Sequence, residues 1–532
     1  MFTTVEPLQQ KPTVPGEVPE LSDARVLEDK TPEWLRTPSV SALFVLLLGI
    51  LMVTLFGSRP LWPTDLWDHV NYGTWILENR SVAATEPLMP LAEGVPLVNT
   101  VWLAQVGLAS MFSWQGFAGL QFVYGLLVIL PLGIVAWGGI RRSGAAVAGF
   151  VALMAFLTLN WQQFIVIRPQ LVGVVFFTAL ITWLLTQRRP RRTTWVALPL
   201  LFAVWANCHG SFVLGLAALG ICAVSHAASI LVRTRSLRAT LGSPRFVSLF
   251  LIMQLCSVAV LVNPNGLAVF AEVVRVGSHP NIDSMFEWDP LTLRMRQGQV
   301  VAALAALLIL VLRWSPRRLR LDETLLLAFT GGMTLWSARM INWLAPVMAL
   351  TIAAHGTAAW RHWRGTHRNY SPAHRSGLWT LVSVGLCWVF FTFTTLGVQA
   401  VHGRSVDIRR AVASQTPVSA TEFLNSQESL PQGIAFCSAE WSGFIRKFGP
   451  REFHAMVNLH VHVMPEEIWN HYMRIISGPS DWDALMAQYG INLAVTDQSR
   501  HERLIRQLRE SEEWEQLYAD SQSVIFQRRS PI

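Results

Sequence analysis

The stretch TDLWDHVNYGTWILENR, from Thr64 to Arg80, follows the first long apolar run of the chain. Asp65 and Asp68 stand three residues apart in it, and side chains three apart share one face of a helix. We therefore expect both carboxylates to point into one cavity. Acidic groups at the mouth of a membrane bundle are costly unless they are paired, hydrated or functional. The alternative is a solvated interfacial loop with an aromatic belt, because Trp and Tyr are enriched at that depth.

The composition of the whole chain is that of a membrane protein. Of its 532 residues, 52% are hydrophobic and only 14% are charged, whereas average soluble domains carry about 25% charged residues. Several runs approach the ~20 apolar residues needed to cross a bilayer. The net charge of +8 does not indicate a nucleic-acid partner, because the basic residues cluster between apolar runs, where they set membrane orientation. We predict a mainly α fold, a polytopic transmembrane helical bundle.

Charge placement gives a topology for this bundle. Five Arg clusters alternate with the apolar runs, at 141–142, 188–192, 233–238, 313–320 and 361–375. All of them fall on the cytoplasmic side, as the positive-inside rule requires, if the N-terminus is inside and 101–115 is a short interfacial or re-entrant helix. The predicted spans, about eleven in number, are 39–57, 116–140, 145–160, 169–187, 195–209, 211–232, 247–263, 299–313, 322–337, 341–359 and 377–399.

Three parts follow from this topology. Residues 1–38 are expected to form a disordered cytoplasmic tail before an uncleaved signal anchor. Residues 39–400 form the transmembrane bundle, with an external loop at 58–115. From Gly433 onwards short strand patterns alternate with helix patterns, which predicts a small α/β domain within 401–532. An odd number of spans places that domain on the extracytoplasmic side.

Polar groups occur at the outer ends of several spans, on the side predicted for Asp65. A single group of this kind is readily explained as a helix cap or turn, since Asn-Pro and Asn-Gly are ordinary turn formers. Their convergence on one face of one bundle predicts an outward cavity that binds an anion, with a carboxylate available as base. The groups are Arg168 and Gln170, Asn207 and His209, Asn263, and Arg339 with Asn342.

Histidines crowd the C-terminal region. In a strand, His460 and His462 would face the same side, as a pair of metal ligands needs. The alternative is a polar rim that faces the membrane-embedded site, with the imidazoles engaged in hydrogen bonds. No third ligand has a spacing that favours the metal.

Six motifs follow one another along the chain: Asp-Leu-Trp-x-His-x-x-x-Gly-x-Trp-Ile at 65–76, Arg-Pro-Gln at 168–170, Trp-Ala-Asn-x-His-Gly at 205–210, Asn-Pro-x-Gly at 263–266, Arg-x-x-Asn at 339–342 and Trp-Ser-Gly-Phe at 441–444. Their order resembles a bacterial family of polytopic proteins related to the GT-C superfamily of glycosyltransferases, in its planctomycete-type form. The resemblance covers most of the chain. This chain has Asp68 where relatives often carry a second Trp, and Glu86-Pro87-Leu88 where many have Asp-Pro-Phe.

The resemblance implies transfer of a sugar from a polyprenyl-phosphate carrier to an extracytoplasmic acceptor, at the bacterial inner membrane. It implies Asp65 as general base or, with Asp68, as ligand of a divalent cation such as Mg²⁺ or Mn²⁺. Arg168 and Arg339 would bind the carrier phosphate, because the planar guanidinium suits phosphate. Substrate contacts are expected from His209 and Asn207, which would orient sugar or phosphate, from Trp67 and Trp75, which would stack on sugar rings, and from His69, Gln170, Asn263 and Asn342.

Two other interpretations remain open at this stage. A transporter or flippase would show inverted repeats and helices broken near the midplane, and the sequence has no convincing repeat. A non-catalytic scaffold would use its external domain to bind envelope partners. The arrangement of Asp65, Asp68, Arg168, His209 and Arg339 separates these functions, because an enzyme requires them to meet within about one sugar-phosphate length.

Overall fold

The computed structural model describes residues 57–187, 190–365, 375–478 and 480–530, together with Pro32, Thr37–Pro38 and Gly49. Nearly all of the predicted tail at 1–38 and of the predicted span at 39–57 lies outside the described residues. The bundle helices are α1 (Leu66–Asn79), α2 (Trp102–Ser143), α3 (Ala146–Asn160), α4 (Gln170–Thr186), α5 (Thr194–Ala206), α6 (Phe212–Thr234), α7 (Leu237–Leu241), α8 (Pro244–Ala259), α9 (Ala268–Gly277), α10 (Arg296–Trp314), α11 (Leu321–Trp336), α12 (Ile341–Trp363), α13 (Gly377–Thr392) and α14 (Thr395–His402).

These helices are those of a multi-pass membrane protein. In the described residues, α2, α6 and α10 are each long and apolar enough to cross a bilayer, and α3, α4, α5 and α8 are shorter apolar helices. Each predicted span from 116–140 to 341–359 overlaps one of these helices. The predicted fold class, a polytopic helical bundle with a small C-terminal sheet domain, is confirmed.

The predicted last span, 377–399, is broken rather than continuous. Helices α13 and α14 meet at an angle of 84°. Thr394 is the N-cap residue of α14, and its side-chain oxygen accepts a hydrogen bond from the Gly397 N–H. A Cβ on Gly397 would lie 1.8 Å from the Phe391 carbonyl oxygen, so the bend requires glycine there.

Helix α2 combines the predicted interfacial segment 101–115 with the predicted span 116–140. Its 42 residues would extend for about 63 Å if straight, twice the thickness of the hydrocarbon core. Gly116 interrupts the helical path with φ of 58° and ψ of −143°, a conformation that glycine adopts without steric cost. The chain therefore changes direction at the boundary that the charge pattern requires.

One end of the bundle collects several of the predicted Arg clusters. The buried Arg142 forms an ion pair with the buried Glu323 at the start of α11, and Arg317 pairs with the same carboxylate. Arg361 donates a hydrogen bond to the Ser143 carbonyl. Because α12 has 23 residues and is about 34 Å long, this end is far from the one where Arg339 precedes α12.

The C-terminal residues form the predicted α/β domain. Its five-stranded sheet has the order β4-β3-β5-β7-β6, in which β3 is parallel to β4 and β5 and the β5–β7–β6 pairs are antiparallel. Its elements are α15 (Ile408–Ala411), α16 (Val418–Ser426), β3 (Ile434–Cys437), α17 (Ala439–Phe448), β4 (His454–Ala455), α18 (Glu466–Ser477), α19 (Trp482–Gln488), β5 (Ile491–Asp497), α20 (Glu502–Glu510), β6 (Trp514–Ala519) and β7 (Ser523–Arg528); the two-residue strands β1 (Thr37–Pro38) and β2 (Arg375–Ser376) pair with each other elsewhere.

The Trp-Ser-Gly-Phe motif joins this domain to the bundle. It lies in α17, which packs against α1. A Cβ on Gly443 would lie 2.6 Å from Asp68 Oδ1, so the two helices touch backbone to side chain. The Gly443 carbonyl accepts a hydrogen bond from Asn71, and Phe444 packs edge-on against the buried Trp67. The motif is thus a docking surface for α1.

The substitution Gly443→Ala tests this docking surface. Alanine is a better helix former than glycine, but the added methyl group overlaps Asp68 and forces α17 away from α1. We expect thermal unfolding in detergent to show a loss of about 1–3 kcal/mol, as for overpacked cores. Gly331→Ala is the matched control, because a Cβ on this helical glycine meets nothing within 4 Å. Equal stability of the two variants would contradict the tight contact.

Candidate functional site

A cavity of about 660 Å³ lies where the bundle meets the C-terminal domain. Its walls come from the start of α1, the start of α2, the loops before α4 and α6, helix α9, the end of α11 and the segment 459–462. Eight of the residues predicted for the site line it: Asp65, His69, Arg168, Gln170, His209, Arg339, His460 and His462.

Four charged side chains form an alternating chain across the cavity. Arg168 Nε donates to Asp65 Oδ1 at 2.9 Å, and Arg168 Nη1 donates to Glu287 Oε2 at 2.8 Å. The other oxygen of Glu287 accepts a hydrogen bond from Arg339. The guanidinium of Arg339 also lies over the Trp288 ring, 5.0 Å from its centroid. Both Arg residues predicted to bind phosphate are thus held by one carboxylate.

The electrostatics of this chain favour the ionised forms of Glu287 and Arg168. Burial alone would raise the pKa of Glu287, but Arg339 and Arg168 outweigh it and lower that pKa to about 2. Burial opposes the charge on Arg168 as well, yet Asp65 and Glu287 raise its pKa above the usual value. The two Arg side chains and the two carboxylates, of Asp65 and Glu287, balance one another in charge. An anionic group that enters the cavity finds two guanidiniums whose carboxylate partner it must displace.

The histidines of the cavity are neutral. The pKa values of His69, His209, His460 and His462 are each lowered to about 3, chiefly by burial and to a smaller extent by neighbouring Arg or His groups. At neutral pH these rings therefore act as hydrogen-bond donors and acceptors, and Arg168 and Arg339 supply positive charge.

His209 is fixed in orientation by the turn that carries it. Its Nδ1 accepts a hydrogen bond from the Ser211 N–H at 3.1 Å, and the Ser211 hydroxyl lies 2.8 Å from the same nitrogen. Trp205 Nε1 donates to that hydroxyl at 3.0 Å. A Cβ on Gly173 would lie 2.4 Å from the same hydroxyl oxygen. The His209 ring is therefore held by Ser211, which Trp205 of the Trp-Ala-Asn-x-His-Gly motif holds in turn.

The C-terminal domain contributes His460 through a segment that Asp68 holds. Asp68 Oδ2 accepts a hydrogen bond from the Leu459 N–H at 3.3 Å. His460 then stacks on Tyr72 with ring centroids 4.6 Å apart. The Tyr72 hydroxyl donates to Glu86 at 2.6 Å, and burial raises the pKa of Asp68 well above its usual range. Asp68 is a buried anchor for this segment.

Six residues predicted for the site lie outside the cavity lining. Asp68 faces α17 although it is only three residues from Asp65. Asp65 precedes the first residue of α1, whereas Asp68 lies on the face of α1 that packs against the C-terminal domain. Trp67 is fully buried among Phe side chains. Asn207, at the end of α5, joins α2 to the turn after α8, accepting a hydrogen bond from Trp102 and donating to the Val262 carbonyl. Asn263 closes its own turn by donating to Gly266. The remaining two are Trp75, half-buried under the external loop, and Asn342, buried behind Arg339.

Several cavity residues were missed in the sequence. Glu287 is one acidic residue in the segment between α9 and α10, and no spacing ties it to the distant Arg168. Gln105 is the only strongly polar side chain in the apolar stretch 101–112. Its isolation in that stretch was the signal from which a site residue could have been inferred. The aromatic walls expected from Trp67 and Trp75 come from Tyr72 and from Trp288, Trp336 and Trp343.

The carboxylates of the cavity do not fit Mg²⁺ or Mn²⁺ as arranged. These cations prefer ionised oxygen ligands that are free to coordinate. Asp65 and Glu287 are held by guanidinium groups, and Asp68 points to Leu459. The nitrogens of His69 and His460 face each other at 3.2 Å. Within the part of the chain that the structure describes, no three His, Cys, Asp or Glu side chains form a group that could hold a metal ion.

Comparison with solved structures identifies the fold. The chain aligns with the archaeal oligosaccharyltransferase AglB from Archaeoglobus fulgidus, solved with an inhibitory peptide and a dolichol-phosphate, over 86% of this chain and 69% of that one, with TM-score 0.54 and 11% identity. A second structure of the Archaeoglobus fulgidus oligosaccharyltransferase, tethered to an acceptor peptide, aligns over 92% of this chain and 74% of that one, with TM-score 0.55 and 10% identity. This chain has the GT-C glycosyltransferase fold. Comparison with protein-family models and with curated protein sequences finds no match.

The pH dependence of stability tests the ion-pair chain. The pKa of Glu287 falls from an ordinary 4.5 to about 2 on folding, so its contribution to stability is complete above pH 4.5 and is lost as the pH falls towards 2. We expect Glu287→Gln to lower the melting temperature at pH 5–7, and the difference from the wild type to shrink steadily between pH 4.5 and 2.5.

Glu422→Gln is the control for this prediction, because Glu422 forms an exposed ion pair with Arg409, and such pairs contribute little. Its melting curve should follow the wild type throughout. A Glu287→Gln variant with a pH-independent effect, or with none, would show that Glu287 does not bridge the two Arg residues.

Proposed function

We propose that the protein is a membrane glycosyltransferase that moves a sugar from a polyprenyl-phosphate carrier to an extracytoplasmic acceptor. The observation that carries this proposal is the cavity in which Asp65, Arg168, His209 and Arg339 meet, although they come from segments up to 274 residues apart in the chain. The GT-C fold supports it. The archaeal oligosaccharyltransferase that shares the fold was solved with a dolichol-phosphate, a carrier of the same chemical class.

In this proposal Asp65 is the general base. Its carboxylate lies at the N-terminal end of α1 and takes the proton of the acceptor hydroxyl as the acceptor oxygen bonds to the anomeric carbon. A positioned base typically contributes about 10²–10⁴-fold to such a step. The bond from the anomeric carbon to the carrier phosphate breaks, and the polyprenyl phosphate leaves with the bonding electron pair.

Arg168 and Arg339 receive the charge on the leaving phosphate. Guanidinium groups bind phosphate oxygens in bidentate fashion, and both side chains are presented to the cavity with Glu287 between them. The carrier phosphate takes the place of the Glu287 carboxylate. His209, Gln170 and the aromatic walls then contact the sugar as neutral groups.

The placement in the cell follows from the same proposal. Residues 39–400 span the bacterial inner membrane and residues 401–532 lie on the extracytoplasmic side, with the N-terminus in the cytoplasm. The support is that Arg142, Arg317 and Arg361 collect at the end of the bundle remote from the cavity. This is the distribution that the positive-inside rule requires of an outward cavity.

Asp65→Asn and Asp68→Asn form a matched pair that tests the mechanism. A deletion strain is expected to accumulate polyprenyl-linked sugar, and the wild-type gene should clear it. Asp65→Asn should leave the accumulation unchanged, because the carboxamide cannot take the proton. Asp68→Asn should restore clearance to within a few-fold of the wild type, since a neutral carboxamide can still accept the hydrogen bond from Leu459. Lipid analysis by mass spectrometry measures both.

Membrane insertion is the control for this pair, measured as the amount of each full-length variant in the membrane fraction. Clearance by Asp65→Asn at the wild-type rate would remove Asp65 as the base. Absence of any accumulated polyprenyl-linked sugar in the deletion strain would contradict the proposed function itself and favour a scaffold.

A further inference from the structure

A chain of buried amides leads from the backbone to His69, beside Asp65. The Val101 N–H lies 3.1 Å from Asn99 Oδ1. Asn99 Nδ2 lies 2.7 Å from Gln105 Oε1, and Gln105 Nε2 lies 3.2 Å from His69 Nδ1. The side chains of Asn99, Gln105 and His69 are all buried. None of the functional motifs in the sequence accounts for Asn99 or Gln105.

The direction of every hydrogen bond in this chain is fixed by its first member. A backbone N–H can only donate, so the Asn99 group that faces Val101 must be its oxygen. The amino group of Asn99 therefore faces Gln105 and meets the amide oxygen. The amino group of Gln105 in turn faces His69, so Nδ1 of His69 must be the unprotonated, accepting nitrogen.

The same assignment sets the tautomer of His460 on the opposite side. Its Nε2 lies 3.2 Å from His69 Nδ1. Because that nitrogen of His69 carries no hydrogen, His460 faces it with an N–H, and the two donors share its single lone pair. The proton of the neutral His69 ring is then on Nε2, which lies 3.8 Å from Asp65 Oδ2. The other oxygen of Asp65 accepts from Arg168.

We propose that His69 is a positioning residue for Asp65, locked by Asn99 and Gln105 in the tautomer that presents its Nε2–H to the catalytic carboxylate. This inference rests on the proposed function, in which Asp65 is the base. Arg168 then holds one oxygen of Asp65 by a hydrogen bond, and the other oxygen faces the His69 Nε2–H across 3.8 Å. The two neighbours orient the carboxylate, and proton transfer to the neutral ring is blocked because Nε2 already carries its hydrogen.

The spacing of the first sequence motif follows from this arrangement. His69 and Gly73 are four residues apart and share one face of α1. A Cβ on Gly73 would lie 2.1 Å from the Gln105 carbonyl oxygen. Only glycine lets α1 approach α2 closely enough for Gln105 to reach the His69 ring. The His-x-x-x-Gly element therefore encodes the contact that sets the tautomer.

Substitutions of His69 that keep or remove the donor provide the first test. The amide nitrogen of Gln reaches the position of Nε2, whereas that of Asn is shorter and corresponds to Nδ1. The rate of clearance is measured in envelope vesicles of the deletion strain, which hold donor and acceptor together, after addition of purified full-length protein. We expect His69→Asn to lower kcat roughly 10- to 100-fold, in the range of lost orienting contacts, with KM unchanged. His69→Gln should recover most of the rate.

Gln105→Glu and Gln105→Met provide the second test, through the pH profile. A carboxylate at position 105 requires a proton on His69 Nδ1, so it favours the imidazolium or the other tautomer. The groups that face His69 are Asp65, Arg168, His209, Arg339, His460 and His462. They are unchanged in this variant, so the shift reports on position 105. We expect Gln105→Glu to move the pH–rate profile and Gln105→Met to lower kcat without moving it.

A spectroscopic measurement separates this inference from the proposed function. Solid-state ¹⁵N spectra of histidine-labelled full-length protein in lipid distinguish the two neutral tautomers, and the difference from His69→Gln identifies the His69 signals. We expect a proton on Nε2 in the wild type and its loss from that nitrogen in Gln105→Glu. A proton on Nδ1, or wild-type kinetics in His69→Asn, would overturn the inference even if sugar transfer is established. The spectra remain informative if sugar transfer fails.

Discussion

The close packing of α1 between two other helices is the constraint on which the rest of the site depends. Gly73 brings α1 against the first segment of α2, and Gly443 brings it against α17 of the C-terminal domain. Neither contact tolerates a side chain at the glycine. Together they hold Asp65, at the end of α1, between the bundle and the domain. The cavity therefore depends on both contacts, which is why residues of the segment 65–105 and of the C-terminal domain share its walls.

The cavity contains two kinds of polar group, charged side chains that pair with one another and buried histidines that are neutral. Charge is confined to an alternating chain in which Glu287 bridges Arg168 and Arg339, and Arg168 also holds Asp65. The histidines are neutral because burial lowers their pKa values to about 3. A neutral imidazole has one donor nitrogen and one acceptor nitrogen, whereas both nitrogens of the cation are donors. Its tautomer therefore determines which neighbour receives the N–H. The amide chain from Val101 to His69 uses this property, and the charged chain holds the guanidinium groups of Arg168 and Arg339 at the cavity.

The sequence predicted a useful part of this site, and its failures have physical causes. Arg168, His209 and Arg339 were found because polar groups at the ends of apolar runs are costly unless they have a role. Asn207, Asn263 and Trp67 carry the same signals, yet they serve turns, helix junctions and the core. Asp68 was placed with Asp65 from helical spacing, but Asp65 precedes the helix and Asp68 lies on the face that packs against Gly443. Glu287 gave no pattern and Gln105 only that of one polar residue in an apolar stretch, because their partners lie in distant segments.

The sequence by itself determined the membrane bundle, the approximate position of its helices in the chain and the α/β character of the tail. These follow from apolar length, charge placement and local periodicity, which are properties of short segments. Only the tertiary structure decided which side chains meet. The contacts of His69 with Gln105 and His460 span 36 and 391 residues of chain, and the direction of their hydrogen bonds depends on one backbone N–H. Such geometry arises from packing, so no local pattern in the chain encodes it.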